Sequence, residues 1–144
     1  MYDYNALKTY IYKIVGILYD VHNELGAGLN ESIYQEGLML ELERRNIPYE
    51  REFSFHPVYK GKEMNASFRL DFLVNDDLII ELKAVSEISD DHRAQLFNYM
   101  HLIKPDAGIL VNFSPKSCVI ERYLYDVKNN IICTIDGYPI NRKR

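Results

Sequence analysis

Two charged residues interrupt an otherwise apolar stretch at residues 78–85. Glu81 and Lys83 lie in the run Leu-Ile-Ile-Glu-Leu-Lys-Ala-Val, whose other members are aliphatic. In a β-strand, residues two positions apart lie on the same face, so both charged side chains are expected on one face with Ile79. Removing an acid and a base from water costs several kcal/mol, which favours a functional role for the pair.

The preceding strand, predicted over residues 68–74, carries an acid of its own. Its apolar residues Leu70, Phe72 and Val74 are expected on one face, with Asp71 on the other. If the two strands form a hairpin, Asp71 and Glu81 converge at one end of the sheet. Two carboxylates make the oxygen-rich site that Mg²⁺ or Mn²⁺ prefers. Because an acid-x-Lys triplet alone is a weak motif, a solvent-facing Glu81–Lys83 ion pair is the alternative.

A helix predicted to start at Ser89-Asp90-Asp91 and to end near Ile103 follows the charged strand. His92, Gln95 and Tyr99 form a polar line along it. The apolar face is expected to contain Ala94, Phe97 and Met100. The polar line would lie beside the three charged residues. The alternative is a solvated helix face, with His92 a surface or capping residue.

The other elements follow from periodicity. Apolar residues at helical spacing predict a helix over residues 4–24, and a second helix begins after the N-cap Asn30 and runs to Arg45. A strand from Glu52 is expected to continue past Pro57 to Tyr59, before a hairpin turn at residues 60–62. Further strands are predicted at 107–113 and 119–125, and residues 131–135 are a candidate for one more short strand outside the core order. The order α-α-β-β-β-α-β-β predicts an α/β fold with a mixed sheet flanked by helices.

Composition limits the classes of protein. The chain has 144 residues and a formal net charge of −4, with 47% hydrophobic and 26% charged residues, as in an ordinary globular domain. We expect one domain over residues 1–144, no membrane span, no signal peptide and a cytoplasmic location. Cys118 and Cys133 are too isolated for a zinc site. The acidity counts against a protein that coats nucleic acid by bulk charge.

Together these motifs resemble a known family. The pattern Asp71-x9-Glu81-x-Lys83 resembles the signature of the PD-(D/E)XK nuclease superfamily. Gln95 and Tyr99 resemble the QxxxY motif of its RecB-like branch, and Gly28, Glu31 and Tyr34 match the GxxExxY family of that superfamily. The resemblance implies a restriction-endonuclease-like core at about residues 21–125, with a short C-terminal extension at 126–144.

The resemblance also implies a role for each residue. Asp71, Glu81 and the backbone carbonyl of Leu82 would bind Mg²⁺ or Mn²⁺, with Glu31 as a supplementary metal or water ligand. Lys83 would activate the attacking water. Gln95 and Tyr99 would position the substrate phosphate and the lysine. The implied activity is hydrolysis of nucleic acid, with DNA as the expected polymer and a homodimer as one arrangement for cutting a duplex.

Two other functions stay open. One is a non-catalytic accessory module that binds nucleic acid or a partner protein, and the other is hydrolysis of a different phosphoester. Basic residues that could hold phosphates are Arg44, Arg45, Arg51, Lys60, Lys62, Arg69 and the tail Arg142-Lys143-Arg144. For any one of them, ordinary surface solubility is the alternative.

Overall fold

The computed structural model describes residues 3–140, which form three helices and eight strands. The helices are α1 (Tyr4–Leu25), α2 (Glu31–Arg44) and α3 (Asp90–Ile103). The strands are β1 (Tyr49–Phe55), β2 (Val58–Tyr59), β3 (Lys62–Glu63), β4 (Phe68–Val74), β5 (Leu78–Lys83), β6 (Ala107–Asn112), β7 (Val119–Asp126) and β8 (Ile131–Thr134). Within residues 3–140, no helix has the length and apolar character needed to cross a bilayer.

Six strands form one mixed sheet in the order β1-β4-β5-β6-β7-β8. Strands β5 and β6 are parallel, and the other neighbouring strands are antiparallel. Helix α3 connects the parallel pair, as a parallel pair requires a crossover connection. The predicted fold class, a mixed sheet flanked by helices, is confirmed.

The sheet separates two apolar layers. Leu78, Ile80 and Leu82 of β5 belong to the layer that packs against α1 and α2. Ile79 belongs to the layer that packs against α3. This alternation is the one predicted from the sequence, and it directs Glu81 towards the α3 side.

Strand β1 does not continue past Pro57 as predicted. It ends at Phe55, and Val58–Tyr59 pairs instead with Lys62–Glu63 in a separate two-stranded hairpin. Proline has no N–H to donate to a ladder, which accounts for the break. The predicted turn is confirmed, since Lys60 and Gly61 have φ angles of 48° and 82°.

The prediction that Leu70, Phe72 and Val74 share one face was wrong. Phe72 and Val74 pack on the α1–α2 side, whereas Leu70 packs on the α3 side. The change occurs at Asp71, opposite Glu52 of β1. Neither residue belongs to the paired register, and Glu52 has a left-handed φ of 53°. This irregularity rotates the side chains beyond it and frees Asp71 from the ladder.

The apolar face of α3 also differs from the prediction. Its buried residues are Leu96, Tyr99 and Met100, whereas Ala94 is exposed. Met100 and Leu96 lie directly against Gly108 of β6, where a larger residue would have a side chain. The glycine therefore lets the helix pack close to the sheet. Tyr99 therefore belongs to the buried face of α3 and reaches the candidate site from inside the core.

Candidate active site

The ladder between β4 and β5 ends where Asp71 and Glu81 meet. Its final regular pair is Phe72 with Ile80. Beyond that pair, the Leu82 N–H donates to Asp71 Oδ2 at 2.8 Å, and the Asp71 N–H donates to Glu81 Oε1 at 3.0 Å. The two carboxyl groups thus satisfy backbone N–H groups where the strands separate, and this fixes both acids relative to the sheet.

Burial makes this acid pair electrostatically unusual. Glu81 is only 4% exposed, and burial together with the neighbouring Asp71 carboxylate raises the pKa of Glu81 to about 8. Burial raises the pKa of Asp71 as well. The Lys83 ammonium acts in the opposite direction on both groups but does not cancel the rise. Two close, buried carboxyl groups resist ionising together, because each charge disfavours the other.

The donor set fits a divalent cation. Asp71 and Glu81 supply two carboxylates, and strand geometry directs the Leu82 carbonyl to the same side as its N–H, towards Asp71. Hard cations such as Mg²⁺ bind oxygen donors of this kind and use few protein ligands. Within residues 3–140, no group of three or more His, Cys, Asp or Glu side chains is arranged to hold a metal. The cation would therefore rely on two carboxylates and a backbone oxygen.

Lys83 and the α3 residues lie next to the acid pair. Lys83 Nζ donates to Gln95 Oε1 at 3.4 Å. Gln95 also hydrogen-bonds with Tyr99, whose pKa is raised by burial and by the charges of Glu81 and Asp71. The structure therefore brings Lys83, Gln95 and Tyr99 together with both acids.

Glu31 approaches the same place from the other layer. It is the first residue of α2, after Asn30 in the predicted N-cap position. Partial burial and the Asp71 carboxylate raise the pKa of Glu31, whereas Lys83 lowers it. The interaction with both residues places this carboxylate at the edge of the acid pair.

The loop before α2 explains how Glu31 is held. The Tyr34 hydroxyl donates to the Gly26 carbonyl at 2.5 Å and accepts from the Leu29 N–H at 3.1 Å. The Tyr34 ring stacks on Phe113 with centroids 4.7 Å apart. Gly26 and Gly28 have φ angles of 85° and 78°, which other residues rarely adopt. The two glycines thus allow the tight turn between α1 and α2, and Tyr34 packs in the core beside it.

Two residues near the site were not predicted from the sequence. Glu52 faces Asp71 across the irregular position of β1, and its charge contributes to the raised pKa of Asp71. Asn112, which is 1% exposed, binds both the N–H and the carbonyl of Val85 at 3.0 and 2.8 Å. It thereby fixes the chain just after Lys83. The sequence did contain a signal for Asn112, since it is the one polar residue in the otherwise apolar strand 107–113.

Other predicted candidates have ordinary structural partners. His92 forms a capping box with Ser89, which confirms the capping alternative. Arg44 and Arg45 pair with Glu41, and Arg51 donates to Gln35. The basic tail at 142–144 lies outside the described residues. These arginines are therefore weaker candidates for phosphate contacts than Lys60 and Lys62, which form no ion pair within residues 3–140.

Comparison with known proteins agrees with this geometry. Residues 8–123, most of the chain, match the PD-(D/E)XK nuclease superfamily, so the chain belongs to that superfamily. A solved structure described as "Crystal structure of SSO0001" has the same fold, with a TM-score of 0.51 and 24% identity. The match covers 64% of this chain and about half (48%) of that one. A search of curated proteins found no match.

Proposed function

We propose that this chain is a metal-dependent nuclease that hydrolyses phosphodiester bonds of nucleic acid, with DNA as the expected polymer. The observation that carries the proposal is the buried Asp71–Glu81 pair, whose negative charge the neighbouring Lys83 compensates only in part. An acid pair of this kind costs stability in the metal-free protein, so a structural role does not account for it. Binding of a cation would account for the pair.

In the proposed reaction, the acids would bind the metal and Lys83 would act on the attacking water. Asp71, Glu81 and the Leu82 carbonyl would hold Mg²⁺ or Mn²⁺, and that cation would supply Lewis-acid chemistry that polarises a phosphate and makes water more acidic. Lys83 orients the attacking water and stabilises the negative charge that develops on the phosphate. No covalent intermediate with the protein is required.

The remaining candidates position these groups. Gln95 keeps the Lys83 ammonium in place through the contact with its amide oxygen. Tyr99, buried beside both acids, supports Gln95 and contributes a hydroxyl towards the substrate phosphate. Glu31 holds a further water or cation at the exposed edge of the site.

The finer assignments belong to this proposal. We place the chain in the GxxExxY family, because Gly28, Glu31 and Tyr34 match its pattern and the Tyr34 hydroxyl bonds to Gly26 and Leu29 of the same loop. We place it in the RecB-like branch, because Gln95 contacts the lysine. We propose a single domain over residues 1–144, with a core at about 21–125 and an extension at 126–144. A homodimer would supply two sites for a duplex.

The test is a cleavage assay on linear, circular and single-stranded DNA with Mg²⁺, Mn²⁺ or EDTA. We expect metal-dependent cutting by the wild type and a loss on the order of 100- to 1000-fold in Lys83→Ala, as for removal of other electrostatic transition-state contacts. Lys13→Ala, an exposed lysine on α1, is the matched control and should cut normally.

Four results would contradict the proposal. Cutting that survives EDTA, or that is unaffected in Lys83→Ala, would place the chemistry elsewhere. Absence of cutting on any DNA or RNA substrate, with nucleic acid still bound equally well by Lys83→Ala, would favour the accessory module. Hydrolysis of a small phosphodiester with indifference to polynucleotides would favour a different phosphoesterase.

A further inference from the structure

A hairpin arm extends the β1–β4 edge of the sheet. We define the arm as residues 56–67, which include β2 and β3. Every residue from 58 to 69 is exposed. The arm is held by its own contacts, since the Met64 N–H donates to the Pro57 carbonyl at 2.8 Å and His56 Nδ1 lies 3.1 Å from the Ala66 carbonyl. It is thus a formed hairpin with very little packing against the domain.

The arm leaves the sheet at the candidate active site. Because β4 and β5 are antiparallel, the start of β4 lies at the same end of the sheet as Lys83. The arm's base, Phe55 and Phe68, packs edge-on against Tyr99, with ring centroids 6.3 and 5.8 Å apart. Phe68 is three residues from Asp71, a span of about 10 Å along a strand. A strand of nucleic acid in the site would pass the arm.

The arm exposes apolar side chains that a hairpin does not need for folding. Val58 is 66% exposed, Tyr59 64% and Met64 44%. Three such residues close together, surrounded by polar groups, are typical of a contact surface. The Lys60 ammonium lies 5.5 Å from the centroid of the Tyr59 ring, so cation and aromatic ring form one unit.

The charge of the arm is opposite to that of the protein. The arm and its base contain three cations, Lys60, Lys62 and Arg69, and one acid, Glu63. The whole chain, by contrast, has a net charge of −4. Among the described residues, no carboxylate lies within ion-pair distance of these three cations. Arg93, by contrast, is paired with acids of the fold. The arm's positive charge is therefore available to a polyanion.

We propose that the arm binds unpaired nucleotides of the substrate strand and directs that strand into the acid pair. Tyr59 stacks on a base, and Lys60 and Lys62 contact the flanking phosphates. An exposed aromatic ring between cations is suited to single-stranded nucleic acid, because every unpaired base presents a face for stacking. The inference rests on the proposed nuclease function and adds a preference for single-stranded or frayed substrates.

The test measures binding separately from cleavage. Fluorescence anisotropy in EDTA compares labelled oligothymidylate with a blunt oligo(dA)·oligo(dT) duplex. We expect tighter binding of the single strand and a loss of about tenfold in Tyr59→Ala. The double variant Lys60→Ala/Lys62→Ala should lower the slope of log affinity against log salt by about 1.4, since each phosphate contact on a single strand contributes about 0.7.

A matched control comes from α1, where Tyr12 (78% exposed) and Lys13 form a second exposed tyrosine–lysine pair. Tyr12→Ala/Lys13→Ala should bind like the wild type. The inference is overturned if the arm variants bind the single strand normally, if the control loses as much affinity, or if Tyr59→Ala affects the duplex equally. Capture of a second copy of the chain by the arm would also overturn it.

The two proposals can fail separately. If the wild type cuts nothing in Mg²⁺ but the arm variants lose single-strand binding in EDTA, the arm stands and the nuclease proposal fails. If the wild type cuts and the arm variants bind and cut normally, the nuclease proposal stands and the arm inference fails. The arm residues are exposed, so these variants should keep the wild-type melting temperature.

Discussion

Glu81 and Glu121 lie in the same sheet but have different surroundings. Glu121 of β7 accepts two hydrogen bonds of 2.8 Å from the Arg93 guanidinium and one of 2.6 Å from the Tyr123 hydroxyl. These contacts hold the pKa of Glu121 below its usual value. Glu81 is more deeply buried, has another acid as its neighbour, and has a raised pKa.

The comparison separates an acid that is paired with a cation of the fold from one that is not. The fold supplies Glu121 with a bidentate cation, which is the geometry that stabilises a shielded carboxylate. Glu81 has only the partial compensation of Lys83, whose ammonium is directed to Gln95. The sheet thus supplies a cation to one buried acid and not to the other. Under the proposed function, a bound divalent cation would supply the charge that Glu81 lacks.

The largest expected effect is on activity. Glu81→Gln keeps the shape and an acceptor oxygen for the Asp71 N–H but removes a charge from the cation site. We expect metal-dependent cleavage to fall by a factor on the order of 100 or more. Steady-state cleavage rates measure this, with Glu36→Gln on the exposed face of α2 as the control. Normal cutting by Glu81→Gln would break the comparison.

The next effect is on stability. Arg93→Ala removes the cation of Glu121 and also its contact with Asp90. Because the pair is partly exposed, we expect a loss of about 1–3 kcal/mol in the free energy of unfolding, less than for a fully buried pair. Urea unfolding measures this loss. A change within error would show that the Glu121 pair does not support the fold.

The third prediction concerns pH in the metal-free protein. Glu81 ionises near 4.5 when unfolded but keeps its proton up to about pH 8 when folded. The unfolded chain therefore loses this proton first, and stability should fall as pH rises between these values. Urea unfolding in EDTA across this range should show the decline, and Glu81→Gln should flatten it. A stability that rises with pH in wild type and variant alike would contradict the raised pKa.

The smallest expected effect belongs to Glu31. This carboxylate is exposed and interacts with Asp71 and Lys83 from the edge of the site. Glu31→Gln should reduce cleavage by about tenfold, the lower end of the range for residues that support a metal site. Glu36→Gln, on the same helix, should have no effect. Equal rates for both variants would remove Glu31 from the site.

The sequence was sufficient for most of the elements and for the candidate residues that lie together beside Asp71. Local patterns determined β4, the bounds of α3 and the turn at Lys60–Gly61, because each depends on neighbouring residues. Motif spacing identified Asp71, Glu81 and Lys83, and strand alternation gave the correct layer for Ile79. The structure gathers all the predicted site residues, while their catalytic roles stay predictions.

What the sequence could not supply depended on non-local contacts. Glu52 has a left-handed φ angle, and Asp71 opposite it is not part of the β1–β4 ladder. Both features depend on how the two strands pair, which neither segment shows by itself. The uniform alternation assumed for Leu70 fails for this reason. Asn112 acts on Val85 across the parallel β5–β6 pair, a contact that separate segments cannot reveal.

One measurement tests the central claim most directly. Isothermal titration of Mg²⁺ near neutral pH, in two buffers of different ionisation enthalpy, reports both cation binding and proton release. We predict binding with release of a proton, because the acid pair holds one in the metal-free protein, and loss of both in Glu81→Gln but not in Glu36→Gln. Absence of binding by the wild type, or identical binding by Glu81→Gln, would contradict the account.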